Sequence, residues 1–372
     1  MKQNNQKILK RSVIVIPGLS FGGAERVTSF LSNYFVEHGR EVHIISLSKG
    51  NHAYPLSSSV ILHEIDISQK KNKIGRYIYL ILRTRKLIKE IQPTSILAMI
   101  SYAASLTAVA ALGLNIPLIV SERNDPNTSK TFSNSAKKVF YFVHRYLATK
   151  AVYQTSSAQS YYFSKPNDKA VIIPNPLYLE DMPKPNKGLV KSGKIITAGR
   201  LTKQKNHRVL IEAFADIHKR YPNYTLWIYG EGEEAEDLRQ SISDHMLEDS
   251  VFLPGNISDL FVRMQEAELF VMSSDYEGMP NALIEAMAMG LPCITTDYSE
   301  GRGTVIEHEK NGLVVERNNR EALSSALLKL IENEAMTRDL ASNAVRIREV
   351  LNSINICSKW LQTIEETEDS YS

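Results

Sequence analysis

Apolar residues in this chain fall into short β-branched runs separated by stretches in which they recur every three or four positions. The first instance is "SVIVIPGLSFGGAERVTSFLSNYFVEHGREVHIISL". It reads as a strand, a glycine-bearing turn, an amphipathic helix ending near Gly39 and a second strand, which is a βαβ unit. Further apolar runs at Ile96–Ile100, Pro117–Val120, Ala151–Gln154 and Val171–Ile173 alternate with helical patterns. Strands that are apolar at successive positions belong in a parallel sheet covered on both faces.

The pattern breaks at "PNPLYLEDMPKPNKGLVKSGK", rich in Pro, Lys and Gly and without a sustained period, so residues 181–194 read as a linker. A second βα series follows. It runs through "KIITAGR", a helix from about Asn206 to Arg220, the strands "TLWIYG", "VFLPG" and "LFVMSS", a further helix, and the strand "PCITTD". The fold class expected is α/β, with two Rossmann-like doubly wound domains over residues 1–180 and 195–350 facing a cleft. Residues 351–372 read as an acidic terminal helix with a frayed end.

A length of 372 residues accommodates two cores, and 43% hydrophobic with 23% charged residues is an ordinary globular composition. The two cysteines, Cys293 and Cys357, make no disulfide framework, and no Cys/His spacing matches a metal site, so a reducing cytoplasm and no metal are expected. Residues 1–12 are polar and basic, without the apolar core of a signal peptide, and no apolar run has membrane-spanning length. The net charge of +3 conceals an asymmetry: residues 1–190 carry 25 Lys+Arg against 11 Asp+Glu, and residues 191–372 carry 19 against 30.

In open α/β sheets ligands bind beyond the carboxyl ends of the strands. After the first strand, Gly22 and Gly23 open a helix whose free amides suit an anion, or else serve a tight turn that needs a flexible backbone. After the first strand of the second series, "GRLTKQKN" places Arg200 and Lys205 in one loop, a pocket for a diphosphate or a solvated basic loop. Its position at a strand's carboxyl end favours the pocket.

The stretch "EGMPNALIEAMAMG" sets Glu277 before a turn and Glu285 inside an apolar helix, which Pro280 and Gly290 bound at about 280–289. A carboxylate among apolar neighbours is costly without partners, and it accepts paired hydroxyl hydrogen bonds well. Two readings of Glu285 stand: an exposed stripe of the helix, or a sugar-hydroxyl ligand. The second carboxylate and the turn favour the ligand.

Taken together, "EGMPNALIEAMAMGLPCI", "AGRLTKQKN", "YGEGEE", "FLPG" and the N-terminal "GGAER" resemble the retaining glycosyltransferases of family four, which have the GT-B fold. The resemblance covers nearly the whole chain in order, and it implies bacterial polysaccharide assembly as the setting. It implies that Glu285 holds a ribose, and that Glu277 with the amides of Gly278 and Met279 meets the donor sugar. Arg200 and Lys205 then stabilise the departing diphosphate, and Gly22 and Gly23 approach the same phosphates. The reaction implied moves a hexose or N-acetylhexosamine from a nucleoside diphosphate sugar, UDP-sugar favoured, without metal or cofactor. The final helix is implied to cross back to the first domain. A GT-B sugar-nucleotide epimerase and a non-catalytic sugar-nucleotide sensor are the competing readings.

One position departs from the family. Arg123, in "IVSERNDP", stands where many relatives carry His, so an anionic acceptor contact replaces that residue's role. The segment "KKNKIGRYIYLILRTRKLIKEI" interleaves Lys70, Lys71, Lys73, Arg76, Arg83, Arg85, Lys86 and Lys89 with Ile, Tyr and Leu, and "AKKVFYFVHRYLATK" is similar. Each reads as a packed helix with a solvated basic face, or as one lying on an anionic membrane. The basic balance of this half favours the membrane. No nucleic-acid motif is present. A glycan or polyprenyl-diphosphate-linked acceptor at the inner face of the cell membrane is expected, with the protein peripheral and cytoplasmic.

Overall fold

The computed structural model describes residues 9–20, 22–69, 72–123, 133–165, 167–298 and 305–371. They divide into two units, one running to Pro176 and including residues from Ile354 onward, the other Leu177–Ser353.

Unit 1 contains β1 (Arg11–Ile16), α1 (Gly23–Glu37), β2 (Glu41–Ser46), β3 (Ile61–Glu64), α2 (Lys73–Ile91), β4 (Ser95–Met99), α3 (Ile100–Ala111) and β5 (Leu118–Glu122). It continues with α4 (Asn134–Phe142), which runs into a π-helical turn at Val143–Leu147, then β6 (Lys150–Tyr153), α5 (Ser156–Tyr162) and β7 (Ala170–Ile172). Among the described residues these strands form a parallel sheet of order β3-β2-β1-β4-β5-β6-β7. Alternation along β1 feeds two cores: Val13 and Val15 pack with α2 and α3, and Ile14 and Ile16 pack with α1 on the other face. Caps set the helix starts, as where the Asn72 side chain accepts from the amides of Ile74 and Gly75.

Unit 2 contains β8 (Lys194–Ala198), α6 (His207–Arg220), β9 (Thr225–Tyr229), α7 (Ala235–Asp244), β10 (Val251–Gly255), α8 (Leu260–Glu266), β11 (Leu269–Met272) and α9 (Asn281–Ala288). After these come β12 (Cys293–Thr296), β13 (Leu313–Val315), α10 (Arg320–Glu332), α11 (Glu334–Ala344) and α12 (Ile347–Val350). Its parallel sheet has the order β10-β9-β8-β11-β12-β13. The apolar pattern misses β3 and β13, both short, partly exposed edge strands.

Residues 181–194, which read as a linker, lie within unit 2. The Asn186 amide donates to Met289 O at 3.1 Å, its side chain donates to Gln265 O at 3.0 Å, and the Gly193 amide donates to Glu268 Oε2 at 2.9 Å. Helix α13 (Ser353–Tyr371) belongs from Ile354 onward to unit 1, where Ile356, Cys357, Trp360 and Ile364 are buried in the core on the α1 side of the sheet. Near its end Arg40 pairs with Glu368, whose carboxylate also accepts from Thr94 and Ser95 at 2.7 Å.

Candidate active site

In unit 2 the strand order reverses between β8 and β11, the place beyond the carboxyl ends of the strands where open α/β sheets bind ligands. The loop after β8 carries Arg200 and Lys205, and the loop after β11 carries Glu277. Hydrogen bonds knit the two together. The Asp275 amide donates to Gln204 O at 2.9 Å, Gln204 Nε2 to Tyr276 O at 2.8 Å, Ser273 Oγ to Lys205 O at 2.9 Å, and Asn206 Nδ2 to Asp275 Oδ1 at 3.0 Å.

At the centre Lys205 Nζ lies 2.5 Å from Glu277 Oε1, which also accepts from Ser274 Oγ at 2.7 Å. Glu277 is only 8% exposed. Lys205 is therefore not the free cation that the loop composition suggests: a buried carboxylate needs a partner, and this one takes the lysine. Arg200 is exposed. Beside them His207 is buried, and burial together with the Lys205 charge pushes its pKa down to about 4, so the ring is neutral at ordinary pH.

Backbone packing holds the cationic loop in place. The Gly199 amide donates to Tyr229 O and the Leu201 amide to Glu231 O, each at 2.9 Å. This approach requires Gly230, which has φ +139, and Gly232, because a Cβ on either would overlap the carbonyl of Gly199 or Leu201. The glycines of "YGEGEE" are thus fitted to the loop after β8. Gly230→Ala is expected to cost about 2–4 kcal/mol through strained φ and overpacking, read as a lowered urea midpoint.

Helix α9 buries Leu283, Ile284, Ala286, Met287 and Ala288, leaving Glu285 half-buried with Asn281 and Ala282 on its open side. That placement explains a carboxylate in an apolar run: the helix is enclosed nearly all round, and Glu285 occupies the side left open. Gly278 and Met279 form the half-buried turn before it. Sequence reasoning missed Ser274, Asp275, Asn206 and Arg317, whose Nη1 donates to Asp275 O at 2.9 Å. The αL conformation of Asn206, φ 48, was a legible signal for an Asn; nothing local links Arg317 to Asp275.

The other residues singled out in the sequence lie in unit 1. Gly22 precedes α1 as its N-cap residue, and the Glu25 carboxylate lies against it. Burial raises the Glu25 pKa, opposed by a backbone hydrogen bond. Arg123 is buried rather than presented: its Nη1 donates to Ile173 O and Asn175 Oδ1 at 3.3 Å, and its guanidinium lies 5.0 Å from the Trp360 ring centroid. Next to it Glu122 accepts from Ser101 Oγ, which meets His144 Nε2 at 3.1 Å in a buried network. Lys70 and Lys71 lie outside the described residues. Of the α2 cations, Lys73 and Lys86 are exposed, and Arg76 and Arg83 are half-buried. Arg85 Nη1 donates to Ala110 O and Leu112 O at 2.7 Å. That side chain caps the carbonyl end of α3.

Comparison with known proteins adds to this geometry. Residues 21–181 match the domain described as Glycosyltransferase Family 4, and residues 180–346 that described as Glycosyl transferases group 1. The amylovoran biosynthesis glycosyltransferase AmsD of Erwinia amylovora is 28% identical over 357 residues, 94% of this chain and 97% of that protein. A Campylobacter jejuni enzyme, the GalNAc-alpha-(1->4)-GalNAc-alpha-(1->3)-diNAcBac-PP-undecaprenol alpha-1,4-N-acetyl-D-galactosaminyltransferase, is 24% identical over 362 residues, 96% of this chain and 98% of its own. Among solved structures, Anabaena Alr3699/HepE in complex with UDP and glucose superposes with a TM-score of 0.78 at 18% identity, covering 96% of this chain and 100% of that one.

Proposed function

The chain is a glycosyltransferase of the GT-B type, and from that premise we propose that it transfers a hexose or N-acetylhexosamine, with retention, from a UDP-sugar to a glycan or polyprenyl-diphosphate-linked acceptor. The observation that carries the proposal is the Lys205–Glu277 pair beyond the carboxyl ends of β8 and β11, with Arg200 exposed in the same loop and Glu285 on the open side of α9. The lipid-linked substrate named for the Campylobacter relative and the polymer named for AmsD support the acceptor class and a role in bacterial surface polysaccharide assembly. UDP bound to HepE supports the choice of base.

In this reading Glu285 accepts the ribose hydroxyls, and Glu277 with the Gly278–Met279 turn orients the donor sugar. Arg200 and Lys205 offset the charge that develops on the diphosphate as its bond to the sugar's anomeric carbon breaks. The acceptor hydroxyl oxygen bonds that carbon from the same face, and its proton passes to the departing phosphate oxygen. Side-chain cations do the neutralising, so the reading requires neither a metal nor a cofactor.

The test is thermal stability with UDP, GDP and ADP, for wild type and Glu285→Ala. A nucleotide at about a hundred times its dissociation constant stabilises the fold by roughly 2.7 kcal/mol. UDP is expected to raise the melting temperature of wild type and not of Glu285→Ala. A wild type that ignores all three nucleotides at confirmed saturation sinks the donor assignment.

A further inference from the structure

We propose that unit 1 docks on an anionic bilayer through two apolar stripes carried by its α2, α3 and α4 layer. On α2, Ile74, Ile78 and Leu82 are 71%, 54% and 60% exposed. Their spacing of four puts them along one side of the helix, away from Leu80, Leu87 and Ile91, which are buried. On α4 and the π-helical turn, Val139, Phe142 and Tyr146 are 51%, 52% and 61% exposed and recur three and four positions apart. The Phe142 and Tyr146 rings lie 5.3 Å apart. Both helices pack on α3, so the stripes belong to one helical layer, and Leu112 at the end of α3 is exposed too. Single exposed apolar residues are ordinary on a soluble protein, whereas stripes of them on helices of one layer mark a surface that leaves water.

Charge selects the occupant. Helix α2 carries Lys73, Arg76, Arg83, Arg85, Lys86 and Lys89 against Glu90 alone; α3 carries no charged residue, and residues 134–147 carry Lys137, Lys138 and Arg145 with no carboxylate. A second copy of this layer would bring like charges together. A bilayer with anionic headgroups takes both the apolar stripes and the cations. Helix α2 lies in the interface rather than crossing it, since among the described residues no helix is long and apolar enough to span. This surface deepens the lipid-linked acceptor reading, on which its place in the reaction rests, but the stripes themselves owe nothing to the donor site.

The test is flotation of the full chain with vesicles of phosphatidylcholine alone and of phosphatidylcholine mixed with phosphatidylglycerol. Wild type is expected to float with the mixed vesicles, binding them about tenfold or more better than the neutral ones. The pair Ile78→Asp with Leu82→Asp should lose about tenfold or more of that binding while keeping the wild-type melting temperature and response to UDP. A separate Lys86→Glu, Lys89→Glu variant should lose the preference for anionic lipid. Wild type indifferent to both vesicles, or aspartate variants that float as wild type does, would overturn the proposal; so would sedimentation showing that the aspartates split a dimer. If docking fails while UDP still stabilises the protein, the donor reading stands; if vesicles bind and no nucleotide does, the donor reading falls and docking stands.

Discussion

Lys205→Ala is expected to lower the rate of sugar transfer about 10²–10³-fold, the usual loss when one fixed donor to a developing charge is removed. The same substitution should also weaken the fold. It strips Glu277, with an 8% exposed side chain, of its cationic partner and, among the described residues, leaves the Ser274 hydroxyl as the donor to Oε1. A buried carboxylate left so costs about 3–5 kcal/mol, read as a lower denaturation midpoint. The two effects separate in the double variant Lys205→Ala, Glu277→Gln. Neutralising the carboxylate should restore most of the stability, because the uncompensated charge is gone, while transfer stays at the low level. If the double variant recovers activity along with stability, Lys205 acts only by holding Glu277. If Lys205→Ala turns over within a few-fold of wild type, the proposed role of the lysine is wrong.

Trp360→Ala is expected to destabilise unit 1 by about 3–5 kcal/mol, because a fully buried indole is replaced by a methyl group and the sheet cannot close over the space. Trp360 packs among residues of β1, β4 and α1, and the Arg123 guanidinium lies over its ring, so the loss should reach the centre of the sheet rather than the chain end alone. Hydrogen exchange should quicken first in β1 and β4. The UDP response of unit 2 serves as the internal control. Exchange that quickens only within α13 would mean that the helix is an appendage to the unit. Acid should weaken the same attachment. Burial raises the Glu368 pKa, but hydrogen bonds from Arg40, Ser95 and Thr94 outweigh it and hold the value below its ordinary 4.5. A depressed carboxyl pKa contributes stability that is present above the unfolded value and is lost as pH falls through the folded one.

Much of unit 2 was legible without coordinates. Pro280 and Gly290 bracket α9 because a helix start tolerates a missing amide hydrogen and its end favours a left-handed residue, and Gly290 has φ +79. Runs such as "LFVM" announce a strand covered on both faces, because in a parallel sheet successive side chains meet helices on either side. The position of Arg200, Lys205 and Glu277 at strand ends follows from the same reading. These features depend on residues a few positions apart, which is the range over which caps, turns and periodicity act.

Everything that joined distant residues was decided by the tertiary structure. Lys205 and Glu277 are 72 positions apart, and only the strand order, which sets β11 beside β8, turned a presumed free cation into one half of an ion pair. Arg40 and Glu368 meet across 328 positions because α13 returns to the first sheet. Arg85 belonged to a basic run and Arg123 to the position of a family His; in the fold one closes the end of α3 and the other is buried with its guanidinium over an indole. Sequence determined which segments are helices, which are strands and where their polar ends lie. Which cations remain exposed, and which face of α2 stays open, depended on long-range packing, since a side chain's partners are set by the elements brought beside it and not by its neighbours along the chain.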